Sequence, residues 1–533
     1  MANSAEVIAE RLYAAGCRAA FGIPGGEVLT LVNALGERGI EFVLAKHENA
    51  AGFMAEGTFH AGGAPALLVA TLGPGVANAV NVVANAWQDR VPMIFLTGCV
   101  DLADAHSYTH QVFDHGALLA PVTKATFTVL PDTADVVLDK ALTIACEGQP
   151  GPVHIDLPIG IADMPHRTPL PIAPQPYRGQ PGARDLLQAC EWLEQAKKPL
   201  LMVGLDVLSQ GAESSVNELA RRFGIPTITT YKAKGTLAET HSLALGGAGL
   251  SPKADAILLP LARSSDLLIL AGYDPIEMRS PWCEPFSPEQ RIVEFNSVTS
   301  SHGMHRANLQ FVGDIAAGLQ ALSDSCNARS VWTDNAAQTA RDQLQQAFSA
   351  GESWGPGKII AVAREVMPVA TVATVDSGAH RILLSQMWTC TAPRTLLQST
   401  GLCTMGCALP LAIGYKRSAP DRPVIAFTGD AGLEMVLGEL ATLRDCRQPV
   451  IVLVFVDESL ALIELKQRHV GHANAGVDFT GTNFVGVAAA FDMHAAWIDG
   501  AEQLRSELHD ALTRSRSTLL ACRIPRMSYD GTF

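Results

Sequence analysis

Residues 422–467 read RPVIAFTGDAGLEMVLGELATLRDCRQPVIVLVFVDESLALIELKQ, and this stretch decides the architecture of the chain. An apolar run over 422–428 stops at Gly429-Asp430, a segment with helical spacing of apolar residues covers 433–444, and a second apolar run covers 449–456. That succession is a βαβ unit. Its right-handed crossover makes the two strands parallel, so Asp430 and Asp457 leave the sheet at carboxyl ends, the edge where open α/β sheets bind ligands. Two carboxylates held close together repel unless a cation lies between them, and the hard ions Mg²⁺ and Ca²⁺ take oxygen ligands and tolerate bound phosphate. The pair reads as a metal-bridged diphosphate site. The alternative is an Asp430 that caps the helix and an Asp457 that opens an exposed turn.

A length of 533 residues predicts about three domains, and 48% hydrophobic against 17% charged residues requires large buried cores. The net charge of −14 comes without any basic block, which argues against nucleic acid or an anionic membrane as partner. Eleven cysteines are scattered with no CxxC and no His/Cys metal spacing, so they read as reduced, mostly buried thiols of a cytoplasmic protein. The amino terminus, MANSAEVIAERLYAAG, has the pattern of an amphipathic helix rather than a signal peptide, and no apolar run is long enough to span a bilayer.

Working outward, the same unit recurs near the start. Residues 66–71 read as a strand, Gly73-Pro74-Gly75 as a tight turn, 76–88 as a helix and 91–97 as a strand. The offset of 357 residues that relates Thr71 to Thr428 also relates Pro92 to Pro449, which suggests two related halves. Before this unit lie a strand at 19–21, the turn GIPGG (22–26), a strand at 41–44 and a helix opened by His47-Glu48. A proline-rich, non-periodic stretch at 165–184 reads as a linker. Beyond it, strands at 199–203, 226–230, 267–271 and 292–295, with a helix at 214–223, make a second α/β domain. The polar stretch 323–335 marks another boundary, and a helix near 358–365 opens the last domain. The expectation is three doubly wound parallel-sheet α/β domains, at 1–165, 185–325 and 345–533, the first and third related.

Nine segments, in this order, resemble the thiamine-diphosphate-dependent enzymes, and specifically their acetolactate synthase and acetohydroxyacid synthase branch: GIPGG (22–26), KHENAAGFMAEG (46–57), GPGVAN (73–78), PVTKATF (121–127), GPVHIDLP (151–158), AGYDPIE (271–277), DSGAH (376–380), GLCTMGCALP (401–410) and the stretch quoted above. The resemblance covers the whole chain. It implies a domain for the cofactor's pyrimidine at the amino end, a central domain, and a diphosphate domain at the carboxyl end. It implies that Asp430, Asp457 and the carbonyl of Ser459 hold Mg²⁺ or Ca²⁺, and that Gly25, Asn78, Ser377, Gly378, His380, Gly401, Gly429, Ala431 and Gly432 lie around the cofactor. Met405 would wedge the cofactor into its bent form and the Cys403 carbonyl would accept from its 4′-amino group. Glu48 would hydrogen-bond N1′ of the aminopyrimidine, turning that ring into the base for the thiazolium C2 proton.

On the substrate side the resemblance implies Gly26, Gln111, Phe113 and Lys124, with Gln111 orienting a carboxylate or carbonyl oxygen. The chain departs from the family at Ala431 for glycine, Asp457 for asparagine, Cys403 for glycine, His110 and Val112, and through 460–467. The resemblance implies a decarboxylating carboligase acting on a 2-oxo acid. The alternatives are a 2-oxo acid decarboxylase or carbon–carbon lyase that releases an aldehyde, and an inactive regulatory homologue, against which Glu48 argues. A GxGxxG fingerprint for a nicotinamide cofactor is absent, and FAD is not expected because AGYDPIE is closer to the flavin-free catabolic branch. The family shares each site between subunits, so a dimer is the minimum and a tetramer is expected.

Overall fold

The computed structural model describes residues 2–172, 183–300, 302–327 and 331–533. Among the described residues, eighteen strands fall into three six-stranded sheets, and every pairing between named strands is parallel. The first contains β1 (Ala19–Ile23), β2 (Glu41–Leu44), β3 (Ala66–Ala70), β4 (Met93–Cys99), β5 (Ala125–Thr128) and β6 (Pro152–Pro158). The second contains β7 (Pro199–Val203), β8 (Thr227–Thr229), β9 (Ala244–Gly247), β10 (Leu267–Ala271), β11 (Arg291–Asn296) and β12 (Leu309–Val312). The third contains β13 (Val372–Val375), β14 (Leu396–Gln398), β15 (Val424–Gly429), β16 (Ile451–Val456), β17 (His494–Ile498) and β18 (Thr518–Arg523). Strands buried on both faces require continuous apolar runs, and β3, β7, β10 and β16 are buried at every position.

The repeat seen in the sequence is a repeat of topology. The first sheet runs β2-β1-β3-β4-β6-β5 and the third β14-β13-β15-β16-β18-β17, the same order. In each, the chain reverses direction across the sheet between the first and third strands, which opens a crevice at their carboxyl ends. The middle sheet, β12-β11-β10-β7-β8-β9, reverses between β7 and β10 and so follows a different winding from its neighbours.

One expected element changes. The helix foreseen over 433–444 is two, Asp430–Met435 and Glu439–Cys446. At the break, Gly438 lies against Lys46, and Glu439 Oε1 accepts the Lys46 N–H at 3.0 Å. A tertiary contact thus overrides a continuous apolar period.

Residues 173–182 of the proline-rich stretch lie outside the described residues. Its described start is fastened to the first sheet's helices, where Asp135 accepts from the Leu170 N–H at 2.8 Å and from Arg167 at 3.1 Å. In the polar stretch 323–335, residues 328–330 lie outside the description, and Trp332 is buried with its indole N–H on the Pro199 carbonyl at 2.6 Å.

The first and third sheets share one core through the helices Glu48–Gly62 and Ala408–Ser418. Small residues permit the approach: a Cβ on Gly414 would lie 1.8 Å from the Met54 carbonyl, and one on Gly57 would lie 2.4 Å from the Leu411 carbonyl. A buried ionic junction ties in the middle sheet. Lys232 Nζ lies 2.9 Å from Asp89 Oδ2, while Asp89 Oδ1 accepts the Gly401 N–H at 2.8 Å. No helix among the described residues is long and apolar enough to cross a membrane.

Candidate active site

β15 and β16 pair with Gly429 opposite Phe455, so their carboxyl ends deliver Asp430 and Asp457 side by side. Asp430 is 2% exposed and carries its own cradle. Its Oδ2 accepts the N–H groups of Asp457 at 3.1 Å and Glu458 at 2.7 Å, and its Oδ1 accepts the Ala431 N–H at 2.8 Å. Burial nevertheless raises its pKa. Burial first, and then the Asp430 charge, push Asp457 up to about 7. Ser459 closes this end, its hydroxyl donating to Asp478 Oδ1 at 2.8 Å.

These residues line a cavity of about 240 Å³ at the switch point of the third sheet. Ser377, Gly378 and His380, which follow β13, form its second wall, and Cys403 and Met405 its third. Asp376 sets the spacing between those walls, because its carboxylate accepts the N–H groups of Gly406 at 2.9 Å and Cys407 at 2.8 Å. Cys403 sits at φ 56° in the left-handed region, where the family's glycine is unstrained. Its Sγ donates to the Thr400 carbonyl at 3.0 Å and accepts from Arg381 at 3.3 Å. His380 stacks on Phe455, and burial, followed by the Arg381 charge, lowers its pKa to about 3, so its ring is neutral.

All the carboxyl-terminal candidates except Gly401 line this cavity. Gly401 instead packs against Gln88 and Asp89 of the first half. Reading the sequence missed Arg381, Phe455 and Tyr529 as lining residues, and Asp376 as the strut between the walls. Asp376 was legible in DSGAH, whereas Tyr529 follows the last strand with no local motif.

The amino-terminal candidates other than Lys124 gather at the matching edge of the first sheet, and none of them, Lys124 included, lines the cavity. Glu48 is 4% exposed at the start of its helix and accepts from Asn78 Nδ2 at 3.0 Å. Gly25 must be glycine, since a Cβ there would lie 2.1 Å from Thr71 Oγ1, while Gly26 faces open space. Gln111 is exposed at φ 58° with its backbone over Gly73, and Phe113 is 41% exposed beside His115. Lys124 stands apart from these: its Nζ donates to the carbonyls of Glu147 at 2.6 Å and Gln149 at 2.9 Å.

The donor set suits a metal-held diphosphate. Ser377 Oγ and His380 Nε2 are buried on the cavity wall with no hydrogen-bond partner among the described residues, which is the arrangement phosphate oxygens satisfy. Two adjacent buried carboxylates call for a divalent cation.

Comparison with known proteins agrees along the chain. Residues 2–118 match the N-terminal TPP binding domain of thiamine pyrophosphate enzymes, 186–322 their central domain and 376–522 their C-terminal TPP binding domain. The acetolactate synthase large subunit of Corynebacterium glutamicum is 32% identical over 83% of this chain and 73% of its own length. Acetolactate synthase isozyme 1 large subunit of Escherichia coli is 29% identical over 98% and 94%, and the probable acetolactate synthase large subunit of Methanocaldococcus jannaschii is 28% identical over 97% and 91%. The chain belongs to the thiamine pyrophosphate enzyme family. Within it, the protein is acetolactate synthase-like.

Asp457 stands where the family's usual residue is asparagine, and the difference is measurable. A carboxylate whose folded pKa is raised binds its proton more tightly folded than unfolded. In metal-free protein, stability therefore falls as pH rises from the ordinary 3.8 of Asp457 towards about 7. Asp457→Asn should flatten that fall, because its amide does not titrate in this range. Thermal unfolding of both proteins between about pH 4 and pH 8 checks this, and parallel curves would contradict it.

Proposed function

We propose that the protein is a thiamine-diphosphate- and metal-dependent decarboxylating carboligase that acts on a 2-oxo acid. The observation that carries the proposal is the cavity at Asp430 and Asp457, walled by Ser377, Gly378, His380, Cys403 and Met405. In this reading, residues 1–165 form the pyrimidine domain, 185–325 the central domain and 345–533 the diphosphate domain. Because Glu48 lies outside the cavity of its own chain, each site is completed by the first domain of a second copy, in a dimer or tetramer.

Asp430, Asp457 and the Ser459 carbonyl would hold Mg²⁺ or Ca²⁺, with Ser377 and His380 donating to the diphosphate. The bound cofactor supplies a nucleophilic thiazolium carbon and an electron sink for the loss of carbon dioxide. Glu48 holds a proton at N1′ of the aminopyrimidine, and its burial keeps that proton from exchanging freely with water. Met405 would pack against the cofactor, and the Cys403 carbonyl would accept from its 4′-amino group. Neutral His380 would donate to phosphate in the tautomer that carries its single ring proton on Nε2, without adding charge. Gln111, Gly26 and Phe113 line the entrance, where Gln111 orients the substrate carbonyl or carboxylate.

The runner-up, a decarboxylase or lyase releasing an aldehyde, draws on the apolar strip Leu460–Ala461–Leu462–Ile463 beside the cavity, which offers an acceptor carboxylate no charged side chain of its own. Mass-spectrometric product analysis with a panel of 2-oxo acids, with and without aldehyde acceptors, separates the two. Pyruvate alone should give acetolactate faster than acetaldehyde. Exclusive aldehyde formation across the panel, with acceptor in excess, would establish the runner-up instead.

A further inference from the structure

Two groups of three side chains among the described residues bring histidine and carboxylate ligand atoms within 4.8 Å of one another. The first, His115, His154 and Asp156, is closed by hydrogen bonds at the point where it would receive an ion. Asp156 Oδ1 accepts from His115 Nδ1 at 2.8 Å and from Thr97 Oγ1 at 2.6 Å, and His115 Nε2 accepts the Gly73 N–H at 3.2 Å. The second, Glu294, His302 and His305, lies in the middle domain, away from the cofactor cavity, and is arranged differently.

Glu294 is the inward residue near the end of β11 and is 1% exposed, and the segment before β12 brings His302 and His305 to it. His305 is 8% exposed, its ring held between Tyr273 and Phe286, and its Nε2 lies 3.2 Å from Glu294 Oε1. The His302 ring lies 4.6 Å from that of His305, and His302 Nε2 is buried with no hydrogen-bond partner among the described residues. The other carboxylate oxygen, Glu294 Oε2, is fixed by Ser300 Oγ at 2.9 Å and Gln310 Nε2 at 3.1 Å. A buried donor set of two imidazoles and one carboxylate, with the carboxylate oriented by a second layer of hydrogen bonds, is a zinc site in its chemistry. Ligand atoms about 2.1 Å from zinc stand about 3.4 Å apart at the tetrahedral angle, and the pair His305 Nε2 and Glu294 Oε1 already approaches that spacing.

We propose that Glu294, His302 and His305 bind a zinc-type divalent transition metal that clips residues 302–305 to β11, separately from the cofactor's metal. Binding needs two tautomer changes and no net proton release: His305 moves its ring proton from Nε2 to Nδ1, and His302 does the same, giving up the long 3.2 Å contact from the Met304 N–H. The partly exposed edge of His302 is the route of entry.

The test uses the full chain stripped with chelator and then titrated with zinc chloride in the presence of excess Mg²⁺. Wild type should take up one zinc per chain, and Asp430→Ala should do the same, which separates this site from the cofactor's. His302→Ala and Glu294→Gln should bind none, and Gln310→Ala should bind about 10–100-fold more weakly. Cobalt-loaded wild type should show tetrahedral absorption that His302→Ala lacks. His302 sits on a loop with one edge in solvent, so its variant keeps the test decisive if Glu294→Gln fails to fold. Zinc uptake equal in wild type and His302→Ala, or none in wild type, overturns the site.

Discussion

Replacing Glu48 with Gln is expected to leave cofactor binding near wild type while slowing exchange of the cofactor's C2 proton by about 10²–10⁴-fold. Gln has the shape of Glu, and its amide oxygen can still accept from Asn78 Nδ2, which lies 3.0 Å from the Glu48 carboxylate. The first turn of the helix Glu48–Gly62 and its packing should therefore survive. What is lost is a carboxyl group able to share a proton at N1′, which an amide cannot do at any accessible pH. Proton NMR of C2 exchange in deuterated buffer measures this directly, and calorimetry confirms that binding persists. Exchange at the wild-type rate would remove Glu48 from the reaction.

The second large effect is expected at Asp430. Asp430→Ala should abolish metal-dependent binding of thiamine diphosphate, because the remaining ligands cannot hold a hard cation against its hydration shell. Ala also strands the N–H groups of Ala431, Asp457 and Glu458, which Asp430 now receives, at about 1–3 kcal/mol for each one left unpaired in a buried site. Asp430→Asn separates the two effects: its one acceptor oxygen can serve the Asp457 and Glu458 N–H groups, which share Oδ2, and the charge is lost, so less backbone is stranded than in Asp430→Ala while metal affinity falls. Titration calorimetry with Mg²⁺ present is the measurement. Wild-type affinity in Asp430→Ala would place the metal elsewhere.

The parallel edge that carries these residues was legible because a strand buried on both faces leaves an unbroken apolar run, and the run stops where the ligand edge begins. The repeat was legible for the same reason, and the common strand order of the first and third sheets bears it out. Strands such as β9, β12 and β17 were not. β9 and β12 hold only four residues each and, like β17, lie at sheet edges, and the positions of β17 before Ile498 are only half-buried, so no apolar run announces them. The split of the 430–446 helix depends on Glu439 meeting Lys46, 393 residues away, and local periodicity cannot report that. Within the site, motif order picked out Asp430, Asp457, Ser377 and His380, which line one cavity. It did not show that Asp376 braces two walls, that Tyr529 lines the cavity, or that the Lys124 ammonium is engaged by backbone carbonyls.

In the proposed assembly the chemistry is divided between two chains, Glu48 coming from one and Asp430 from the other. Mixing the inactive variants Glu48→Gln and Asp430→Ala, with subunits exchanged by mild dissociation and reassociation, tests that division most directly. A mixed dimer built that way has one site carrying both changes and one carrying neither, so random exchange should restore about a quarter of wild-type turnover per site. If each chain instead builds its own site, every site in the mixture carries one change. Verified subunit exchange with no recovery of activity would contradict a site shared between chains.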